Sequence, residues 1–431
     1  MLFSNIGLID ENFGFRTDMY VGTEEDKITY IGSDEPEDAS KYGDRYDGKG
    51  KVLMPGFVNA HAHSPMILMR GYGENLPLDR WLNEKVFPFE DKLYDKAVYW
   101  ATLFQMAESL RYGIVSTSDM YFFTDSMVRA ISVAGTRSNI CRSVTNPAGP
   151  VSESKSFKEM HDAILMYDGW NDGRIIVESS AHAEYTNNEE TIRAIAEEAK
   201  KYDTRVHVHV SETEKEVRGC IERHGRTPVK FLADCGLFDQ PTNAAHCVWI
   251  NDEDIAILKE KKVSVSSNPV SNLKLVSGIC PVSRLYNEGI NVAIGTDSVT
   301  SNNSLNFAEE IKTFALVGKY KTGDVAKMTP QQVLYSATRA GALAQGREDC
   351  GLIKEGYKAD VIVIDATQPN MLPAYDMLNN IVFSMDGKDI VLTMVDGKVL
   401  YADGEFRTID VEKAAAETEA ARLKILAGLD N

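Results

Sequence analysis

The residues best suited to chemistry are histidines at the ends of short apolar runs. His61 and His63 stand two residues apart, so on an extended strand both rings point to the same face and can converge on one ion. His209 lies near the end of the run 206–210, and Asp297 follows the last such run. These positions permit one metal ion to be held by three imidazoles and a carboxylate.

Each of these residues also has a purely structural interpretation. A His-x-His pair can be hydrogen-bonded inside a core, and Asp297 before Ser298 can cap a helix. His207, one pleat below His209, fits a packed core position, while His246 closes the next strand along the chain. The coincidence of several such residues at strand ends favours a shared site.

A site of this kind needs a scaffold that brings distant strand ends together. Apolar runs of strand length alternate with helical stretches, which indicates parallel strands joined by crossover helices. A run that ends at His61 joins seven others to give eight, the strand count of a closed (β/α)₈ barrel, which places its chemistry at the carboxyl ends of its strands. The seven others are 114–118, 138–141, 175–179, 206–210, 243–246, 263–267 and 292–296.

Both ends of the chain are predicted to contribute to a second, smaller domain. The first fifty or so residues contain short strands and turns, and Asp396-Gly397 between two apolar runs is a strong hairpin signal. We therefore predict an α/β fold in which a TIM barrel is inserted into a small β-sandwich. The expected boundaries are 1–54 plus 347–407 for the β domain, 55–346 for the barrel, and 408–431 for a C-terminal helix.

Composition and charge exclude several classes of protein. With 46 Lys and Arg against 64 Asp and Glu, the net charge of −18 argues against binding nucleic acid, which requires a clustered positive field. No apolar run has the length of a membrane span, and no secretory signal is visible, so we expect a cytoplasmic protein. The six cysteines show no metal-binding or redox spacing, so we expect reduced thiols and a metal held by histidine and carboxylate.

Five segments resemble the amidohydrolase superfamily and, more narrowly, its 5-methylthioadenosine/S-adenosylhomocysteine deaminases. The likeness covers nearly the whole chain and implies metal-dependent hydrolytic deamination of an adenosine-type nucleoside. The expected substrates are 5′-methylthioadenosine, S-adenosylhomocysteine or adenosine, and the products are the inosine analogue and ammonia. The segments are 54–63 (MPGFVNAHAH), 209–213 (HVSET), 245–248 (AHCV), 267–275 (SNPVSNLKL) and 295–306 (GTDSVTSNNSLN).

The resemblance also implies roles for individual residues. Asp297 becomes the general base, Glu212 the proton donor and shuttle, and His246 a hydrogen-bonding partner of the attacking water. One divalent ion is expected, zinc by preference, with iron or manganese also suited to these ligands. The fourth strand, 175–182, lacks the lysine that bridges two metals in binuclear members, which favours a single ion. The implied ligands are His61, His63, His209 and Asp297.

The substrate contacts also follow from the resemblance. Glu90 is expected to accept hydrogen bonds from the two ribose hydroxyls, Trp81 to form an apolar wall, and Arg142 to face the far end of the nucleoside. The structural alternative for Trp81 and Glu90 is a helix with one buried face. The remaining expected contacts are His182 and Ser301.

Two departures from the family pattern concern the substrate. A second arginine expected after Arg142 is missing, since 143–159 holds only Lys155 and Lys158, and Ser267 replaces the usual histidine. The other enzymatic hypothesis keeps the mechanism but changes the ring to guanine, pterin or triazine; the non-enzymatic one is an inactive scaffold. We expect a small-molecule nucleoside as partner, no nucleic acid or membrane, and a homo-oligomer.

Overall fold

A ring of eight parallel strands forms the centre of the computed structural model, which describes residues 1–429. The ring closes where Ala62 pairs with Asp297. Most strand residues are buried because the core fills one face and helices cover the other. The strands are β1 (Phe57–Ala62), β2 (Ile114–Met120), β3 (Arg137–Cys141), β4 (Ile175–Val177, continued by Ser179–Ser180), β5 (Val206–Val210), β6 (Thr242–His246), β7 (Ser264–Ser267) and β8 (Val292–Ile294).

Helices follow the barrel strands and pack around them. In Glu189–Tyr202, for example, Asn188 caps the first turn, and buried apolar residues recur at helical spacing on one face. Within residues 1–429 no helix is both long and apolar enough to cross a membrane. The longer helices are Asp95–Arg111, Thr124–Ala134, Lys155–Tyr167, Glu189–Tyr202, Glu214–His224, Asp252–Glu260, Phe307–Thr322, Pro330–Ala337 and Val411–Leu429; the shorter are Leu78–Trp81, Phe87–Glu90, Pro228–Asp234, Pro269–Lys274, Val282–Asn287, Arg339–Ala344 and Met377–Phe383.

The two chain ends meet in one sheet of nine strands. Lys51–Pro55 pairs antiparallel with Val361–Asp365, which joins the N-terminal strands to the C-terminal ones. The predicted hairpin is present, with Asp396 and Gly397 at φ 50° and 71° in its turn. The predicted fold, a barrel with a β domain from both ends, is confirmed. The other strands of this sheet are Leu2–Ile9, Phe15–Glu24, Lys27–Gly32, Arg45–Asp47, Ile390–Val395, Lys398–Ala402 and Glu405–Phe406.

A buried ionic contact ties the barrel to the β domain. Arg137 of β3 donates from Nε to Asp360, with 2.6 Å between the atoms, and its guanidinium also contacts Asp396 in the hairpin turn. Arg137 and Asp360 have side chains only 3% exposed. Removing one partner would leave the other charged and unpaired in the interior, which is strongly destabilising.

Candidate metal and catalytic site

The carboxyl ends of β1, β5, β6 and β8 converge on one buried point. His61 lies in β1 and His63 just after it, while His209 and His246 lie in β5 and β6. Asp297 follows β8, and its backbone N–H donates to the His61 carbonyl at 2.9 Å. The close approach of β8 to β1 requires Gly295, because a Cβ there would lie 2.8 Å from the His61 nitrogen.

The side-chain atoms of four residues approach closely enough to share one ion. Asp297 Oδ1 lies 3.6 Å from His61 Nε2 and 3.2 Å from His63 Nε2, and the Nε2 atoms of His63 and His209 are 3.4 Å apart. His61 Nε2 is buried and makes no hydrogen bond within the described residues. Buried polar atoms are usually paired, so this nitrogen fits a metal ligand, and the donor set suits a divalent cation.

Hydrogen bonds on the opposite ring nitrogens set the orientation of two imidazoles. His63 Nδ1 donates to the Met120 carbonyl and His209 Nδ1 donates to the His182 carbonyl, each at 2.7 Å. In each ring Nδ1 therefore carries a proton, and Nε2 is the nitrogen that faces the cluster and can bind an ion. Such outer contacts commonly fix the tautomer of a metal-binding histidine.

His61 is held by a second imidazole rather than by the backbone. Its Nδ1 lies 3.0 Å from His207 Nε2, and His207 Nδ1 lies 3.4 Å from a carboxylate oxygen of Glu178. Asn139 donates to the other oxygen of that carboxylate at 2.8 Å. With protons on both Nδ1 atoms, the chain Glu178–His207–His61 again leaves the His61 Nε2 lone pair free. The sequence predicted a core position for His207, which is fully buried, but not this supporting contact.

The protonation states of the cluster suit metal binding. Burial, reinforced by the neighbouring imidazoles, lowers the pKa of His61 and of His209 well below the usual value, so both rings are neutral at pH 7. Burial opposes ionisation of Asp297, but the contact with His63 and the nearby imidazoles outweigh it and hold the pKa of Asp297 well below its usual range. Burial lowers the pKa of His63, but the contact with Asp297 outweighs it and raises that pKa, so an ion bound here would take the place of a proton on His63 Nε2. A neutral ring and an ionised carboxylate are the ligand forms.

Serines fix the carboxylate of Asp297. Ser271 Oγ donates to Oδ2 at 2.6 Å, and the Ser298 backbone N–H donates to Oδ1 at 2.8 Å. The Ser301 hydroxyl contacts the Ser271 hydroxyl at 2.9 Å, so it acts on Asp297 through that serine. Ser301, expected to contact substrate, therefore also supports Asp297. The support from Ser271 was not foreseen from the sequence.

His246 differs from the other rings because side-chain amides face its Nδ1. Asn268 and Asn272 place their NH₂ groups 3.2 Å and 2.9 Å from that nitrogen. An amide NH₂ only donates, so with both amides in this orientation Nδ1 is the acceptor and the ring proton sits on Nε2. That N–H is available as a hydrogen-bond donor, which fits the expected contact with an attacking water. His246 also lies in a group with His61 and His209 whose ligand atoms are within 4.8 Å of one another.

Glu212 stands beside His246 in a buried position. One of its carboxyl oxygens lies 3.9 Å from His246 Nε2, and Ser277 Oγ donates to the other at 3.2 Å. Burial raises the pKa of Glu212, which favours the protonated, proton-donating form. Glu216 holds the same loop by accepting from the Ser211 and Glu212 backbone N–H groups at 2.7 Å and 2.8 Å. Glu216 was not foreseen from the sequence, although it follows Glu212 by only four residues.

An inner cavity lies over the histidine cluster. It is bordered by apolar side chains from Leu78 to Phe87 and by four of the expected substrate contacts. Burial raises the pKa of Glu90 to about 7, although the Tyr121 hydroxyl opposes the rise. The four are Trp81, Glu90, His182 and Ser301.

Arg142 does not line this inner cavity. Its side chain lies in an adjoining outer cavity and donates from Nε to Glu159 at 2.7 Å. The ionic partner could not be foreseen, because Glu159 belongs to a different element and lies 17 residues further along the chain.

Metal removal is expected to destabilise the protein. A ligand that binds only the folded state adds about 2.7 kcal/mol to the free energy of unfolding when its free concentration is 100 times its Kd. Urea unfolding of stripped protein, with and without buffered zinc, measures this difference. His63→Ala is the matched control and should respond much less. If zinc stabilised His63→Ala as much as the wild type, the ion would have to bind at a site that does not include His63.

Comparisons with known proteins bear on the whole chain. Residues 52–400 match the amidohydrolase family. The 5′-deoxyadenosine deaminase of Methanosarcina acetivorans is 39% identical over 404 residues, which cover 94% of this chain and 93% of that protein. The 5-methylthioadenosine/S-adenosylhomocysteine deaminase of Caldanaerobacter subterraneus subsp. tengcongensis is 39% identical over 434 aligned residues, 99% of each chain.

A solved structure extends the likeness to three dimensions. An adenosine deaminase from Xanthomonas campestris, described with bound zinc, matches with a TM-score of 0.91 and 28% sequence identity. The match covers 99% of this chain and 98% of that one. On the family match and these full-length relatives, the chain belongs to the amidohydrolase family.

Proposed function

We propose that the protein is a zinc-dependent aminohydrolase that deaminates an adenosine-type nucleoside to the inosine analogue and ammonia. The substrates are 5′-methylthioadenosine, S-adenosylhomocysteine or adenosine. The observation that carries the proposal is a proton acceptor and a proton donor at one cavity, Asp297 with a lowered pKa and Glu212 with a raised one. The names of the full-length relatives, all nucleoside deaminases, support it.

Water activation falls to Asp297. His61, His63, His209 and Asp297 would hold a divalent ion, which would lower the pKa of water at this site to about 7. Asp297 takes the proton from the attacking water, while Ser271 and the Ser298 backbone hold the carboxylate in place. The water oxygen then forms a bond to the ring carbon that bears the amine. His246 donates its Nε2 proton as a hydrogen bond to that oxygen.

Glu212 supplies the second proton. It protonates the ring nitrogen next to the attacked carbon, so negative charge does not build up on the purine. The bond from carbon to the amine then breaks, and the amine leaves as ammonia with the proton held by Asp297. Glu212 takes back the proton of the new hydroxyl, which becomes the carbonyl of the inosine analogue. Both carboxyl groups return to their starting states.

Glu90 is proposed to recognise the ribose. An ionised carboxylate can accept hydrogen bonds from both ribose hydroxyls, and Glu90 borders the same cavity as the catalytic groups. Its pKa of about 7 makes this recognition depend on pH, because the carboxylate is ionised above that value and neutral below it.

Lowering the pH through 7 is expected to raise the KM for adenosine more than the KM for 2′,3′-dideoxyadenosine, which lacks both hydroxyls. Glu90→Gln should lower kcat/KM for adenosine by about tenfold, the effect of losing a charged hydrogen bond. Steady-state kinetics on both nucleosides between pH 5.5 and pH 8.5 test this. The proposal for Glu90 fails if the variant treats the two nucleosides as the wild type does.

A nucleoside panel tests the proposed function as a whole. Ammonia release is followed with adenosine, 5′-methylthioadenosine, deoxyadenosine, S-adenosylhomocysteine and guanine, with and without added zinc. We expect turnover of at least one adenosine derivative, with the highest rate when zinc is present. Turnover of guanine alone would instead establish a different ring as substrate, and silence on every compound would reject deamination of adenosine derivatives and of guanine.

A further inference from the structure

An outer cavity of about 840 Å³ continues from the inner one. The two share a boundary that includes Glu90, Phe122 and Tyr185. If Glu90 holds the ribose, a substituent on the 5′ carbon extends past Glu90 into this outer space. The groups that line the outer cavity therefore decide which 5′ substituents the enzyme accepts.

Arg142 is the most buried cation of this cavity, and its charge is already engaged. Its side chain is 11% exposed. Its Nε donates to Glu159 at 2.7 Å, another guanidinium nitrogen contacts the Ser143 carbonyl, and the guanidinium carbon lies 4.7 Å from the centre of the Phe122 ring. A ligand carboxylate would have to displace Glu159 to form a paired contact with Arg142.

The rest of the outer cavity offers little to an anion. Lys155 also lines it, but its side chain is 89% exposed and lies 3.5 Å from the same Glu159. Besides Glu90 and Glu159, three carboxylates border the space, of which Asp125 is paired with Arg129 at 3.0 Å. The other two are Asp91 and Asp162. A carboxylate that enters this cavity therefore meets like charges and two cations that already share one partner.

We propose that Glu159 determines substrate selectivity by occupying Arg142. While this ion pair is intact, the outer cavity accepts 5′ substituents that lack a carboxylate and discriminates against a tail that carries one. The inference rests on the proposed function and narrows it: neutral or amine-bearing 5′ substituents are preferred to the amino-acid tail of S-adenosylhomocysteine.

Three substrates isolate the effect of the tail carboxylate. They are 5′-methylthioadenosine, S-adenosylhomocysteine, and 5′-(3-aminopropyl)thio-5′-deoxyadenosine, which equals S-adenosylhomocysteine without its carboxylate. For the zinc-loaded wild type, we expect kcat/KM for S-adenosylhomocysteine to be at least about tenfold lower than for the aminopropyl compound, roughly one charged hydrogen bond. The ratio of kcat/KM for S-adenosylhomocysteine to kcat/KM for the aminopropyl compound should rise by about tenfold in Glu159→Gln, because this variant frees Arg142 to bind the carboxylate.

Two further variants show whether the improved use of S-adenosylhomocysteine in Glu159→Gln depends on Arg142. Asp162→Asn removes one negative charge from the same cavity at an exposed position and should change the ratio by less than about twofold. The double variant Glu159→Gln/Arg142→Gln should lose the gain of the single one. An equal gain in Asp162→Asn, or a gain that survives the loss of Arg142, would overturn the proposal.

The same measurements separate the two levels of the hypothesis. If the wild type releases no ammonia from any of the three compounds or from adenosine, the proposed function fails and the selectivity proposal fails with it. If the wild type is active but already uses S-adenosylhomocysteine as well as the aminopropyl compound, only the role of Glu159 is rejected.

Discussion

Asp297→Asn is expected to reduce kcat by about 10³-fold or more, in keeping with the contribution of a general base. The amide has the size of the carboxylate, but it cannot take a proton from water. It also places an NH₂ group against a donor, either the Ser271 hydroxyl or the Ser298 backbone N–H, which both point at this side chain. Ammonia release at saturating 5′-methylthioadenosine and zinc measures the loss.

A buried aspartate outside the site provides the control. Asp254 is 1% exposed, accepts a hydrogen bond from Thr227 at 2.5 Å and lines neither cavity. Asp254→Asn should cost stability but keep kcat within a few fold. Metal analysis of Asp297→Asn separates loss of the base from loss of the ion, because three imidazoles remain. A rate within tenfold of the wild type would show that another group takes the proton.

The second large effect is expected for Glu212→Gln. The glutamine keeps the contact with Ser277 but cannot donate a carboxyl proton, so kcat should fall by about 10²- to 10⁴-fold. Glu212 is not among the proposed ligands, so the zinc content should not change. Glu214→Gln is the matched control: it lies two residues further on, is exposed, and pairs with Arg218 on the helix surface. Its rate should match that of the wild type.

The pH profile gives an independent test of Glu212. Because the donor acts in its protonated form, kcat/KM of the wild type should fall as pH rises through the raised pKa of this carboxyl. Glu212→Gln should lack that descending limb and retain only a low, flatter rate. If Glu212→Gln keeps both the wild-type rate and the fall of kcat/KM at high pH, the proton donor must be another group.

The barrel and the positions of the proposed metal ligands could be predicted from the sequence because they depend on local patterns, whereas the catalytic roles of Glu212, His246 and Asp297 came from the family resemblance. A strand of period two places His61 and His63 on one face, and barrel topology puts every strand end at the same rim. His209, His246 and Asp297 follow from the same rule. The Asp396-Gly397 hairpin needed only the backbone preferences of two residues.

The supporting contacts could not be predicted, because each depends on the barrel interior rather than on a neighbour in sequence. The His61–His207–Glu178 chain joins β1, β5 and the break in β4, and only the closed ring sets those distances. The amides that fix the His246 tautomer come from the segment after β7. The contacts of long flexible side chains are still harder to predict. Arg142, for example, turns toward Glu159 and the outer cavity.

The pairing of Ala62 with Asp297 has a consequence for how the protein matures. The first and last barrel strands meet at the residues that carry the proposed ligands, so three histidines and a carboxylate come together only when the ring is complete. During synthesis His61 and His63 emerge early, whereas Asp297 emerges after nearly all of the barrel has been made. A partly made chain therefore has imidazoles without their carboxylate, and full-affinity metal uptake must follow ring closure. Acquisition of the ion thus reports that the barrel has finished folding.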